Sequence, residues 1–201
     1  LLPSSYYFYQ SKGTPNITEL LQAPNHKQTQ IPQMSMEQAM AKLEARLKEK
    51  PDDIDAQMLY ARSQVSLKNY QAAVGAYRKA NQLAPNQSVI LIELAEAIAF
   101  NNNERSFLGE PETLIAQAVK LDPKHQKALW LYGMIFYEKG DLAKTNQIWT
   151  QLYDVIQGGS AKAQLLEQIN DVRSQLGLTT QAPATTTDAI VSQTNEAILF
   201  K

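Results

Sequence analysis

KALWLYGMIFYEKGDLAKTNQIWTQL, residues 127–152, divides into two helical stretches around one turn. In the first, Leu129, Tyr132, Gly133 and Phe136 recur at offsets of three, one and three, which puts all four on one helical face. Gly133 is the informative member of that set. Glycine inside a helix costs roughly 1 kcal/mol relative to alanine, so its place is understandable where a neighbouring helix must approach without a Cβ in the way. Lys139, Gly140 and Asp141 then supply a helix stop followed by a polar residue able to cap the next helix. Thr145, Trp149 and Leu152 carry the apolar face onward on the second helix.

A large residue, then a large residue with glycine, then an aromatic, followed on a second helix by a small residue and an aromatic four further on, is the tetratricopeptide (TPR) pattern. Threonine stands here for the usual small alanine at 145. The same unit can be found upstream. Residues 54–87 have the repeat length of about 34 residues, with Tyr60, Ala61, Tyr70, Ala73, Tyr77, Ala80 and Pro85 on signature places. Gln57 and Gln64 stand in that repeat where large apolar residues are usual. Residues 88–125 form a second unit through Leu91, Leu94, Ala95, Ile98, Ala118, Leu121 and Pro123 if the turn between its helices is lengthened, and the third unit is 126–157. The lengthened turn, NNNERSFLGE at 101–110, lacks the alternating ligand pattern of a calcium loop and reads as a surface loop ending at Pro111, a residue favoured at a helix start.

The repeats are flanked by further helices. Ser35 and Gln38 form a capping-box pattern ahead of Met36, Met40, Leu43 and Leu47, and Pro51 marks the stop. After the third repeat Gly158 and Gly159 break the chain, Ser160 is expected to cap a last helix over 160–176, and Gly177 ends it. Leu165, Leu166, Ile169, Val172 and Leu176 would seal the open end of the stack. The fold class expected is therefore all-α, a TPR helical-hairpin solenoid over 35–177 with a capping helix at each end.

Residues 1–34 read as an aromatic start and a linker. Tyr6, Tyr7, Phe8 and Tyr9 resemble the aromatic belt where a membrane span meets water, so they are read either as the end of a preceding anchor or as an apolar arm packing on the domain. Residues 10–33 are polar and broken by Gly13, Pro15, Pro24 and Pro32, with room for a short helix over 17–21. Residues 178–201 read as a flexible tail in which Ile190, Val191, Thr194, Ala197 and Ile198 could share one face of a short helix, either left mobile or docked in the protein's own groove or in a neighbour's.

Composition narrows the function. The 19 basic and 20 acidic residues nearly cancel and form no basic run, which argues against nucleic acid as a partner. With no cysteine there is no disulfide, thiolate metal site or thiol nucleophile. His26 falls in the linker, and His125 falls in the turn before the third repeat, where it reads as a helix cap. No catalytic constellation, metal or cofactor is expected, and the remaining candidate is a surface.

In stacked hairpins the first helices line the concave side, and the second, fifth, ninth, twelfth and thirteenth places of each repeat point into it. These are Asp55, Met58, Arg62, Val65 and Ser66, then Val89, Ile92, Glu96, Ala99 and Phe100, then Lys127, Trp130, Met134, Tyr137 and Glu138. Met58, Ile92, Phe100, Trp130, Met134 and Tyr137 are read as an apolar trough not needed for packing between helices. The candidate peptide-binding groove is Met58, Arg62, Val65, Ile92, Glu96, Phe100, Lys127, Trp130, Met134, Tyr137 and Glu138, suited to an amphipathic helix or an extended peptide.

Over about 36–176 the chain resembles the periplasmic TPR proteins of c-type cytochrome biogenesis, of the CcmI and NrfG type. The resemblance lies in LEARLKEKPDD at 43–53, AEAIAFNNN at 95–103 and LDPKHQKALWLYGMIFYEKGD at 121–141, followed by Trp149. It implies a non-enzymatic, chaperone-like adaptor in the periplasm, tethered to the inner membrane by a preceding anchor. Such an adaptor holds the C-terminal helix of apocytochrome c and presents its haem-attachment segment to the haem lyase subunits. Gln57, where tryptophan is common in the family, and the lengthened loop of the second repeat are departures that bear on the client. TPR clamps for carboxylate termini use lysine and asparagine in the groove; Met58, Arg62 and Glu93 do not fit that set, and only Lys127 does. Other readings are a scaffold for another envelope complex and a haem-binding subunit of the lyase.

Overall fold

The computed structural model describes residues 35–180, and every regular element within them is a helix. The helices are α1 (Met36–Glu49), α2 (Ile54–Ser66), α3 (Tyr70–Leu83), α4 (Ser88–Asn101), α5 (Glu110–Leu121), α6 (Gln126–Glu138), α7 (Leu142–Val155) and α8 (Ser160–Gln175). The aromatic start, the expected linker and its short helix lie outside the described residues, as does the tail from 181 onward. Consecutive described helices pack against one another along the whole series, which is the nearest-neighbour construction of an α-solenoid. The fold is an all-α TPR helical solenoid: α2 with α3, α4 with α5 and α6 with α7 form successive hairpins.

Helix starts are set by capping side chains. Ser35 Oγ accepts from the Gln38 amide while Gln38 Oε1 accepts from the Ser35 amide, a complete capping box for α1. Asp53 caps α2 through the Ala56 amide at 3.0 Å, and Asp141 caps α7 through the Lys144 amide at 2.9 Å. His125 Nδ1 accepts from the Ala128 amide at 3.3 Å, so this histidine serves as the cap of α6. The expected cap at Ser160 is not found. Gly159, at φ 85°, occupies the cap position without a side-chain bond, and Ser160 is the first helical residue. Pro111 sits one residue further into α5 than expected, because the helix begins at Glu110.

The two glutamines on apolar signature places are accommodated by hydrogen bonds. Gln64 is buried, and its Oε1 accepts from Asn69 Nδ2 at 2.9 Å across the α2–α3 turn. Gln57 Nε2 donates to the Pro51 carbonyl at 2.9 Å. A buried amide left unpaired would cost about 1–3 kcal/mol, and the bond to Asn69 offsets that penalty at Gln64, whereas Gln57 is only partly buried.

One half of the core fills the first two hairpins around α4, whose Ile90, Leu91, Ile92, Leu94, Ala95, Ala97 and Ala99 are all buried. A helix apolar nearly all round belongs in the middle of a stack. The other half joins α6, α7 and α8 through Leu129, Trp149, Leu152, Leu165, Ile169 and Val172. The lengthened loop, 102–109, is tied down by Phe107, which packs on the first cluster, and by Ser106 Oγ, which donates to Glu138 at 2.7 Å. No helix among the described residues is long and apolar enough to cross a membrane.

Candidate peptide-binding groove

The decisive packing feature of the third hairpin is the seat of Trp149. A Cβ built on Gly133 would lie 2.1 Å from Trp149 Nε1 and 2.2 Å from its Cδ1, so the indole occupies the space that any side chain at 133 would need. Its Nε1–H donates to the Trp130 carbonyl at 3.4 Å. The ring is 1% exposed, and it lies nearly parallel to Trp130 at 5.2 Å and to Tyr137 at 5.9 Å between centroids. Residues 130 and 137 stand two turns apart on α6, about 10.5 Å along the axis. That separation leaves room for one aromatic ring between two others. Trp149 is thus the middle ring of a three-ring slab, with Gly133 beneath it.

This packing corrects the reading of the trough as residues not needed between helices. Ile92 is 1% exposed, and Met58 and Met134 are 8% exposed, so all three are core residues. Trp130 and Tyr137 are half-buried because they clasp Trp149. Phe100 is half-buried against Tyr70, with the rings stacked at 5.6 Å, and Val65 packs on the first core cluster. The candidate apolar places are therefore load-sharing positions, some of which keep one edge in solvent.

The charged candidates are engaged as well. Arg62 forms a fork with Glu93, Nε to Oε2 at 2.8 Å and Nη2 to Oε1 at 2.7 Å, tying α2 to α4. The hydroxyl of Tyr77 joins this carboxylate from α3, and burial together with the negative charge of Glu93 pushes the Tyr77 phenol well above its ordinary pKa. Glu93 also holds the Arg62 guanidinium above its ordinary value. Lys127 pairs with Glu96, tying α6 to α4. Burial raises the Glu96 pKa, and the Lys127 ammonium opposes that shift without cancelling it. Glu138 accepts from Ser106. The two cationic candidates are thus each matched to a carboxylate on the neighbouring first helix.

Where α6 and α7 meet α8 the surface opens into a cavity of about 300 Å³, lined by Tyr137, Trp149, Gln168, Asp171, Val172, Ser174 and Gln175. Of these only Tyr137 belongs to the candidate groove. The α8 residues were missed because α8 reads as a seal, and its polar residues carry no periodic signal of their own.

The family model for the TPR domain of cytochrome c-type biogenesis protein H matches residues 11–163. The chain belongs to that family. A relative, the cytochrome c-type biogenesis protein CycH of Pseudomonas aeruginosa, is 26% identical over 170 residues, covering 80% of this chain and 40% of its own length. The chain therefore spans less than half of that relative. Among solved structures, MamA superimposes with a TM-score of 0.60 at 13% identity, over 71% of this chain and 79% of its own. The first TPR of Spaghetti, solved with the peptide SRMEEVD, gives 0.52 at 16% identity, over 60% of this chain and 93% of its own. At these identities the structural likeness speaks to the TPR fold.

Proposed function

We propose that this domain is a non-enzymatic adaptor of cytochrome c maturation, of the CcmI and NrfG type. It holds the C-terminal helix of apocytochrome c along the inner faces of α2, α4 and α6 and presents the client to the haem lyase, from the periplasmic side of the membrane that anchors it. The observation that carries this reading, alongside the family, is the aromatic slab of Trp130, Trp149 and Tyr137. Trp130 and Tyr137 are locked by stacking on the buried Trp149, so their partly exposed rings can meet a ligand with little ordering cost. Around the slab, Arg62 and Lys127 are already neutralised by Glu93 and Glu96. Such a surface favours the apolar stripe of an amphipathic helix over a carboxylate terminus, which needs unpaired cations.

Calorimetric titration of the 201-residue chain with a C-terminal peptide of apocytochrome c tests this directly. A dissociation constant of micromolar or below is expected, about −8 kcal/mol. Trp130→Ala should weaken binding about tenfold or more while leaving the helical circular dichroism in place. Unchanged affinity in that variant, or no binding by the parent chain, overturns the reading. A haem titration of the same chain should leave the haem absorption spectrum unaltered.

A further inference from the structure

We propose that the cavity between Tyr137, Trp149 and α8 is a subsite for one cationic side chain, lysine or arginine, of the segment held in the groove. It rests on the groove reading and gives that groove a polarity. Three observations converge on a cation. Asp171, an exposed residue on the α8 wall, has no ion pair or hydrogen bond among the described residues, so its carboxylate is open to a ligand cation. Gln168 is only 7% exposed, lines the same cavity, and its side-chain amide makes no hydrogen bond among the described residues. Its amide is not a buried orphan, so its Oε1 remains open to a ligand donor. Tyr137 supplies an aromatic wall, which attracts a cation through its ring quadrupole.

The same lining disfavours other occupants. An acidic side chain would meet the Asp171 carboxylate. A purely apolar one would desolvate Asp171 and Gln168 with nothing in return. At about 300 Å³ the cavity stands at the small end of ligand pockets, suited to one long side chain and accompanying water rather than to a cofactor. Its place at the α8 end means that a helix in the groove is read for charge at that end, while the α2 and α4 part, with its own charges paired, reads apolar surface.

The experiment has two arms, both on the full chain. In the first, N-acetyl-lysinamide, N-acetyl-argininamide and the uncharged N-acetyl-norleucinamide are titrated while the Trp149 indole and Gln168 side-chain amide signals are followed by NMR. The two cationic probes should shift both signals and the norleucine probe should not, and Asp171→Asn should weaken the cationic response about threefold to tenfold. In the second, the apocytochrome peptide and versions with single lysine-to-norleucine changes are titrated into the parent and Asp171→Asn chains. One peptide position should lose affinity in the parent and show no further loss in the variant. Equal shifts from the norleucine probe, or no shift from any probe, overturn the subsite even if the peptide binds. Cation-selective shifts with no peptide binding uphold the subsite and remove the groove reading instead.

Discussion

Gly133 and Trp149 are in such close contact that a single methyl group at 133 would overlap the indole ring, at 2.1 Å from its nitrogen. The contact joins α6 to α7 where Trp130 and Tyr137 close over the ring from either side, and it sets the orientation of the slab on which the proposed groove is built. Gly133→Ala should therefore destabilise the domain by about 1–3 kcal/mol in urea unfolding, although alanine is the better helix former. Gly75, inside α3, is the control. A Cβ there meets nothing within 4 Å, so Gly75→Ala should stabilise by roughly 0.5–1 kcal/mol. Equal effects at the two positions would show that helix propensity, and not the indole contact, governs Gly133.

Much of this was legible from the chain alone because helix starts and stops are local chemistry. Ser35, His125 and Asp141 cap the helices that their positions suggest. Gly133 suggested a close approach because it falls on the apolar face with Leu129, Tyr132 and Phe136, whereas Gly75 in α3 is exposed and meets nothing. Depth was not legible. A repeat place fixes the direction of a side chain and says nothing about how closely the next hairpin covers it, so Ile92 looked like groove and is core. Ser160 was misread because a serine after a glycine pair has the composition of a cap, while the backbone turn itself is made one residue earlier by Gly159. The cavity was invisible for a third reason: Gln168 and Asp171 acquire their meaning only when α8 is laid against Tyr137.

Met134 and Trp130 should now behave differently on truncation. Met134 is 8% exposed, so Met134→Ala should cost about 2–5 kcal/mol of stability and lower peptide affinity only in so far as it loosens the fold. Trp130 is half-buried on Trp149, and its loss should appear chiefly as lost binding. Parallel urea unfolding and peptide titration of the two single variants separate these outcomes. A Met134→Ala chain of parent stability with lost affinity would return Met134 to the ligand surface.

Arg62 and Glu93 should show coupling. The pair is bidentate, and Glu93 is 19% exposed in its side chain against 53% for Arg62. A double-mutant cycle with Arg62→Ala and Glu93→Gln should give a coupling of about 1 kcal/mol, near the top of the range for exposed pairs, because Tyr77 and the burial of the carboxylate limit competition from water. A coupling indistinguishable from zero would reduce the fork to an incidental surface contact.

Glu96 gives the domain a pH dependence of definite sign. Burial lifts its pKa above the ordinary value of 4.5 despite the Lys127 ammonium, so between 4.5 and the raised value the folded chain holds a proton that the unfolded chain has released. Over that interval the folded state binds more protons, and stability falls as pH rises. Above the raised value both states are ionised and the slope vanishes. Glu96→Gln removes this titration, so its stability relative to the parent should climb as pH is raised through the window starting near 4.5 and then level off. The constant offset between the two proteins includes the lost Lys127 pair and carries no sign prediction, whereas the slope does. Urea midpoints for both proteins across the acid range measure it, and a relative stability that falls with rising pH would mean that the Lys127 attraction outweighs burial at Glu96.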